Sequence, residues 1–166
     1  MKKSVLLVAA ALLWAATGSA QTPATPPATQ DFVNKVAVSD MFEIQSSQLA
    51  LEKQADQDTK PFAQRMIKDH QKTSKELKAL IDKGKVQANL PTALDTEHQK
   101  MLDDLKAKNG RDFDVAYDQI QLKAHQEAVT LFDAYAKGGD NPDLKKWAAK
   151  TLPHLKQHLA MAQKLK

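Results

Sequence analysis

The chain has 166 residues, with 24 lysines and arginines against 20 aspartates and glutamates, and no cysteine. The missing cysteine excludes thiolate metal sites, disulfides and a lipid-attachment cysteine. Lys2 and Lys3 supply half of the formal net charge of +4, which leaves no basic excess of the kind that nucleic-acid binding needs.

Lys2 and Lys3 precede an uninterrupted apolar run, Val5 to Ala16, and a small-residue exit, Gly18-Ser19-Ala20. This is the pattern of a cleavable signal peptide over residues 1–20; the apolar run is too short to span a bilayer. Cleavage near Ala20 would release a mature protein into the periplasm or the medium. Residues 21–30, rich in Pro, Ala and Thr, read as an extended tether. Residues 31–166 form a single domain of sufficient length to build its own core.

Beyond the tether the spacing is helical throughout, with no strand pattern. A first helix is expected from Asp31 to Ala55, its apolar face carrying Val33, Ala37, Met41, Ile44, Gln48 and Leu51. A second starts near Lys60, with Pro61 in its first turn, and stops near Gly84; Phe62, Ala63, Met66, Ile67, His70, Ser74, Leu77 and Ile81 mark its stripe. Leu90-Pro91 opens a short helix bearing His98, ending at Asn109-Gly110. A third long helix covers Asp112 to Lys137, with Phe113, Ala116, Tyr117, Ile120, Ala124, Leu131 and Tyr135 inward. The last begins at Asn141-Pro142, an N-cap followed by a proline at the first helical position, and Pro153 inside it predicts a kink. The fold class is all-α, an antiparallel four-helix bundle with one additional short helix.

Histidines fall on or beside the inward faces of separate helices. His70 lies within its apolar stripe, His158 sits on the Leu155 side of the last helix, and His154 precedes it by one turn. Tyr117, Gln121 and His125 form a ridge along one edge of the third long helix, and Glu43 falls between Val36 and Ala50. Rigid helices that converge imidazoles and carboxylates are how bundles hold metal ions. The candidate ligands are Glu43, His70, His125, His154 and His158, supported by Asp69, Tyr117 and Gln121; the cofactor would be a divalent transition metal ion. The same groups could instead satisfy one another as structural pairs, Glu43 with His70, Asp69 with a neighbouring cation, or Tyr117 with His158. His98 is expected beneath a bundle end. No Glu-x-x-His occurs, so the usual di-iron bundle motif is missing, and so are a zinc-protease helix and a phosphate loop.

The string Phe62-Ala63-Gln64-Arg65-Met66-Ile67-Lys68-Asp69-His70, the segment Leu90-Pro91-Thr92-Ala93-Leu94 with His98, Phe113-Asp114-x-x-Tyr117 with His125, and Leu152-Pro153-x-Leu155-x-x-His158-Leu159 resemble the bacterial domain-of-unknown-function family 4142. The resemblance covers nearly all of residues 31–166. It implies a ferritin-like bundle and export, and it marks Glu43, Asp69, His70, Tyr117, His125 and His158 as matching the family pattern. The expected function is that of an exported helical bundle binding a divalent transition metal through histidines and a carboxylate. The alternative is a metal-free, stress-related module that contacts the cell envelope peripherally through its charged surface. The six lysines and one acid of Asn141 to Lys166, Lys145, Lys146 and Lys150 among them, would then form the contact. No catalytic nucleophile is identifiable.

Overall fold

Apolar residues at three- and four-residue spacing become five α-helices in the computed structural model, which describes residues 25–53 and 55–165. They are α1 (Thr29–Glu52), α2 (Thr59–Asp82), α3 (Thr96–Lys106), α4 (Gly110–Gly138) and α5 (Pro142–Ala162). There is no strand among the described residues, and no described helix is long and apolar enough to cross a membrane. The expected signal peptide and the first four residues of the expected tether lie outside them.

Cross-helix contacts give the direction of each helix. Ser47 meets Tyr117 and Thr29 meets Tyr135, so α1 and α4 run antiparallel. Trp147 bonds Glu76 while His158 bonds Asp69, so α2 and α5 run antiparallel. Phe132 packs on Trp147 and His125 on His158, which sets α4 against α5 in the same sense. The short turn after α1 folds α2 back along it. Two hairpins, α1–α2 and α4–α5, therefore face one another, and the long connection carrying α3 returns the chain to the end at which α2 began.

Local chemistry sets the element ends, not always where the spacing predicted. α3 begins at Thr96 rather than at Leu90-Pro91, because the Asp95 carboxylate accepts the His98 N–H at 2.8 Å and caps the helix there. Residue Gly110, expected to terminate the short helix, opens α4 with φ +54°, a conformation that strains any side chain. Asn141 caps α5 as expected, its Oδ1 accepting the Leu144 N–H at 2.9 Å, and α5 continues through Pro153, whose exposed flank leaves the orphaned carbonyl to water. α1 starts two residues early, inside the expected tether, where Thr29, Tyr135 and Asp140 share hydrogen bonds and Pro26 lies against Gly138.

The inward row of α1 also differs from the expected stripe. Val33, Val36, Asp40, Glu43, Ser47 and Ala50 are buried, whereas Gln48 is exposed and Met41 and Ile44 are only partly covered. Ranking positions by hydrophobicity rotated the helix away from its true inner face, because that face carries the polar residues Asp40, Glu43 and Ser47. Two apolar clusters fill the ends of the interior. One gathers Phe42, Phe62, Met66, Leu105, Phe113 and Tyr117; the other gathers Phe32, Val36, Leu77, Phe132, Trp147 and Leu155.

Candidate metal centre

Between these two clusters lies a polar layer to which all four long helices contribute. Along α2, His70 falls between Met66 and Leu77; along α4, His125 falls between Tyr117 and Phe132; along α5, His158 falls between Leu155 and Ala162. Glu43 on α1 completes the layer. His70, His125 and His158 are 5, 1 and 3% exposed and Glu43 is 1% exposed, so bulk water does not satisfy their polar atoms.

The three imidazoles converge edge to face, with ring centroids 5.4–5.8 Å apart. One ring nitrogen from each can be chosen so that all three lie within 4.8 Å of one another. Each ring is held from behind by its other nitrogen. His70 donates its Nδ1–H to Asp40 Oδ1 at 2.7 Å, His158 donates its Nε2–H to Asp69 Oδ2 at 2.9 Å, and His125 donates its Nδ1–H to the Gln121 carbonyl at 2.9 Å. These bonds leave His70 Nε2, His125 Nε2 and His158 Nδ1 buried without a protein partner. A proton anchored on the outer nitrogen puts the lone pair on the inner one, the tautomer that a metal ion requires. Three buried histidines arranged in this way could hold a metal ion.

Glu43 is the fourth candidate ligand. Both of its carboxylate oxygens are buried and unpartnered. Its charge favours the imidazolium at His70 and at His125, but it is not part of the group whose ligand atoms lie within 4.8 Å of one another, which is the three histidines. Beneath it, Ser47 and Tyr117 share a hydrogen bond of 2.8 Å, and the Gln121 amide donates to Ser46 Oγ at 3.5 Å. Of the alternative structural pairings, Asp69 does pair with a neighbouring cation, Arg65, while the other two do not form: Asp40, not Glu43, binds His70, and Asp69, not Tyr117, binds His158.

Burial disfavours the imidazolium at all three positions. For His158 burial outweighs the Asp69 hydrogen bond, and the neighbouring imidazoles add to it, so that its pKa falls to about 4. His125 is also lowered, by burial first, against the pull of Glu43. At His70 burial is outweighed by the Asp40 hydrogen bond and by the charges of Asp40, Glu43 and Asp69, and its pKa is raised. Asp69 is opposed by burial, but Arg65 and His158 together hold it below the usual carboxylate range. Two of the three imidazoles are thus neutral lone-pair donors in the neutral range.

Not every candidate joins the cluster. His154, one turn before His158, is exposed and does not reach it, because α5 turns that position toward solvent. Tyr117 and Gln121 sit in the layer next to the imidazoles, Gln121 supporting His125 through its backbone carbonyl rather than its amide. His98 packs against Phe42, ring centroids 5.5 Å apart, with its Nδ1–H donated to Asp95. Asp40 was missed by the sequence reading. It is 4% exposed and accepts from His70, Thr73 and Ser74 at 2.7–3.0 Å. The signal that could have found it is the row Val33, Val36, Asp40, Glu43, Ser47, Ala50, spaced three and four residues apart.

A cavity of about 1110 Å³ runs between the two hairpins and reaches the cluster on its His70 and His158 side, while His125 and Glu43 do not line it.

The model of a family described as "Domain of unknown function (DUF4142)" matches residues 15–165. The chain belongs to that family. Neither a curated protein nor a solved structure matches it. The match within this DUF4142 chain takes in all four helices that carry the polar layer.

Proposed function

We propose that this DUF4142 protein is an exported, ferritin-like helical bundle that binds one divalent transition metal ion through His70 Nε2, His125 Nε2 and His158 Nδ1, with Glu43 completing the set. The observation that carries the reading is that three buried imidazoles bring one ring nitrogen each within 4.8 Å of one another, while each ring has one nitrogen bonded to protein and the other buried and unpartnered. Such nitrogens each cost about 1–3 kcal/mol when left unsatisfied, and one ion relieves all of them. The ferritin-like arrangement is supported by the antiparallel hairpins α1–α2 and α4–α5 joined by one long crossover. Imidazole and carboxylate suit zinc, copper, nickel or iron. The absence of Glu-x-x-His argues for a single ion rather than a di-iron pair.

Elemental analysis of the mature protein, purified without chelator, tests this beside a His70→Ala/His158→Ala variant whose helicity is checked by circular dichroism. The reading expects close to one equivalent of metal in the wild type and none in the folded variant. A wild type that neither retains metal nor takes up added zinc, copper, nickel or iron would overturn it.

A further inference from the structure

The cavity between the hairpins touches the histidine cluster on one side only. His70 and His158 line it, whereas His125 and Glu43 do not. An ion held by the three histidines would have the cavity on its His70 and His158 side. The wall beyond is largely apolar, with Val36, Ala128, Phe132 and Leu155 among its residues. On the α2 and α5 side its lining includes Arg65, Lys68, Lys72, Glu76, Lys150 and His154.

Charge pairing on that side is uneven. Asp69 is taken by Arg65 and His158, and Glu76 by Trp147 and Lys72. Lys68 and Lys150 form no ion pair among the described residues, so the lining carries unpaired positive charge on its α2 and α5 side, while the carboxylates Asp95, Glu97 and Glu127 line it on the α3 and α4 side. A metal at the histidine cluster, apolar walls and unpaired cations on the α2 and α5 side together describe a ligand with an anionic head and an apolar body.

Resting on the metal reading above, we infer that the ion keeps one coordination position open toward the cavity, and that this position takes an organic carboxylate entering between α2 and α5. Its carboxylate binds the ion, the apolar body lies along Val36, Phe132 and Leu155, and Lys68 and Lys150 raise the local concentration of the anion. A metal with an open position behaves as a binding or reacting centre rather than as a structural staple.

Cobalt(II) reports both steps separately, because its visible spectrum changes when a ligand is added to its shell. Uptake of one cobalt ion, read before any carboxylate is added, tests the metal reading alone. Benzoate is then titrated against acetate as the carboxylate without an apolar body. The expected result is a spectral change with both, benzoate binding at least about tenfold tighter because its ring is removed from water. A Lys68→Glu/Lys150→Glu variant, which leaves the ligands untouched, should take up cobalt normally and bind benzoate about tenfold more weakly at low salt. A cobalt spectrum unmoved by either carboxylate would show a closed shell and overturn the inference, leaving the metal site standing. Equal affinity for acetate and benzoate, or a charge-reversed variant that binds benzoate as tightly as the wild type, would overturn it as well.

Discussion

Asp40→Asn isolates the part of the site that acts without touching the ion. The Asp40 carboxylate accepts the His70 Nδ1–H at 2.7 Å and the hydroxyls of Thr73 and Ser74 at 2.9 and 3.0 Å, all within a buried pocket. Asparagine keeps the shape and one acceptor for His70, and its amide can donate to a hydroxyl, so the metal-free fold should change by about 1 kcal/mol or less. The lost charge is the larger effect, since a carboxylate behind a ligating imidazole raises its basicity. Removing such a partner lowers metal affinity by about 10–100-fold, or roughly 1.4–2.7 kcal/mol. Chelator competition with zinc measures the affinity, and urea unfolding of the metal-free protein measures the fold. Unchanged zinc affinity in a folded Asp40→Asn protein would refute the idea that Asp40 tunes His70 as a ligand. Asp40→Ala should instead destabilise the metal-free protein by about 3 kcal/mol, because His70, Thr73 and Ser74 all lose their partner.

Glu43→Met should separate binding from folding: it removes two buried, unpartnered oxygens, so the metal-free protein should unfold at higher denaturant while zinc affinity falls at least about tenfold. A variant that is less stable and binds zinc normally would assign Glu43 to the fold. In proton-linked calorimetry at pH 6, metal binding should release about one proton. His70, raised by Asp40 and its neighbours, carries that proton, while His158, at about 4, and the lowered His125 are already neutral. Release of three protons would contradict the burial effect at His125 and His158, and release of none would contradict the raised His70. Asp118, beneath Thr59, is pushed up to about 6 by burial and by Asp56, Asp114 and Asp58, against the Thr59 hydrogen bond. A folded-state pKa above the unfolded one favours folding below pH 4, and that contribution is lost as the pH rises through 6. Asp118→Asn should therefore be more stable than wild type at pH 7.5, by about 1–2 kcal/mol after discounting for partial solvation, and nearly equal to it below pH 4; equal curves at both pH values would remove the effect.

Much of the fold was legible because three of the long helices carry ordinary apolar rows. Met66 and Leu77 bracket His70 on one face, and that spacing alone placed His70 inside. α1 was read at the wrong rotation for the reason that makes it interesting: its inner row holds Asp40, Glu43 and Ser47, and a search for hydrophobicity passes over polar residues at core positions. Functional layers in bundles are therefore the places where a hydrophobicity pattern fails. His154 and His158 share a helical edge in sequence, yet a rotation of about 40° between positions four apart is enough to leave one in water and the other in the core. The start of α3 was misplaced because Pro91 looked like a first-turn proline, while the capping carboxylate that decides the boundary lies four residues later, at Asp95.

The most direct test of the central claim is X-ray absorption at the metal edge of the zinc-loaded protein. The account predicts a first shell of nitrogen and oxygen at about 2.0–2.1 Å, with the outer-shell scattering of three imidazoles, falling to two in His125→Ala. A shell of oxygen alone, or a spectrum that His125→Ala leaves unchanged, would contradict it.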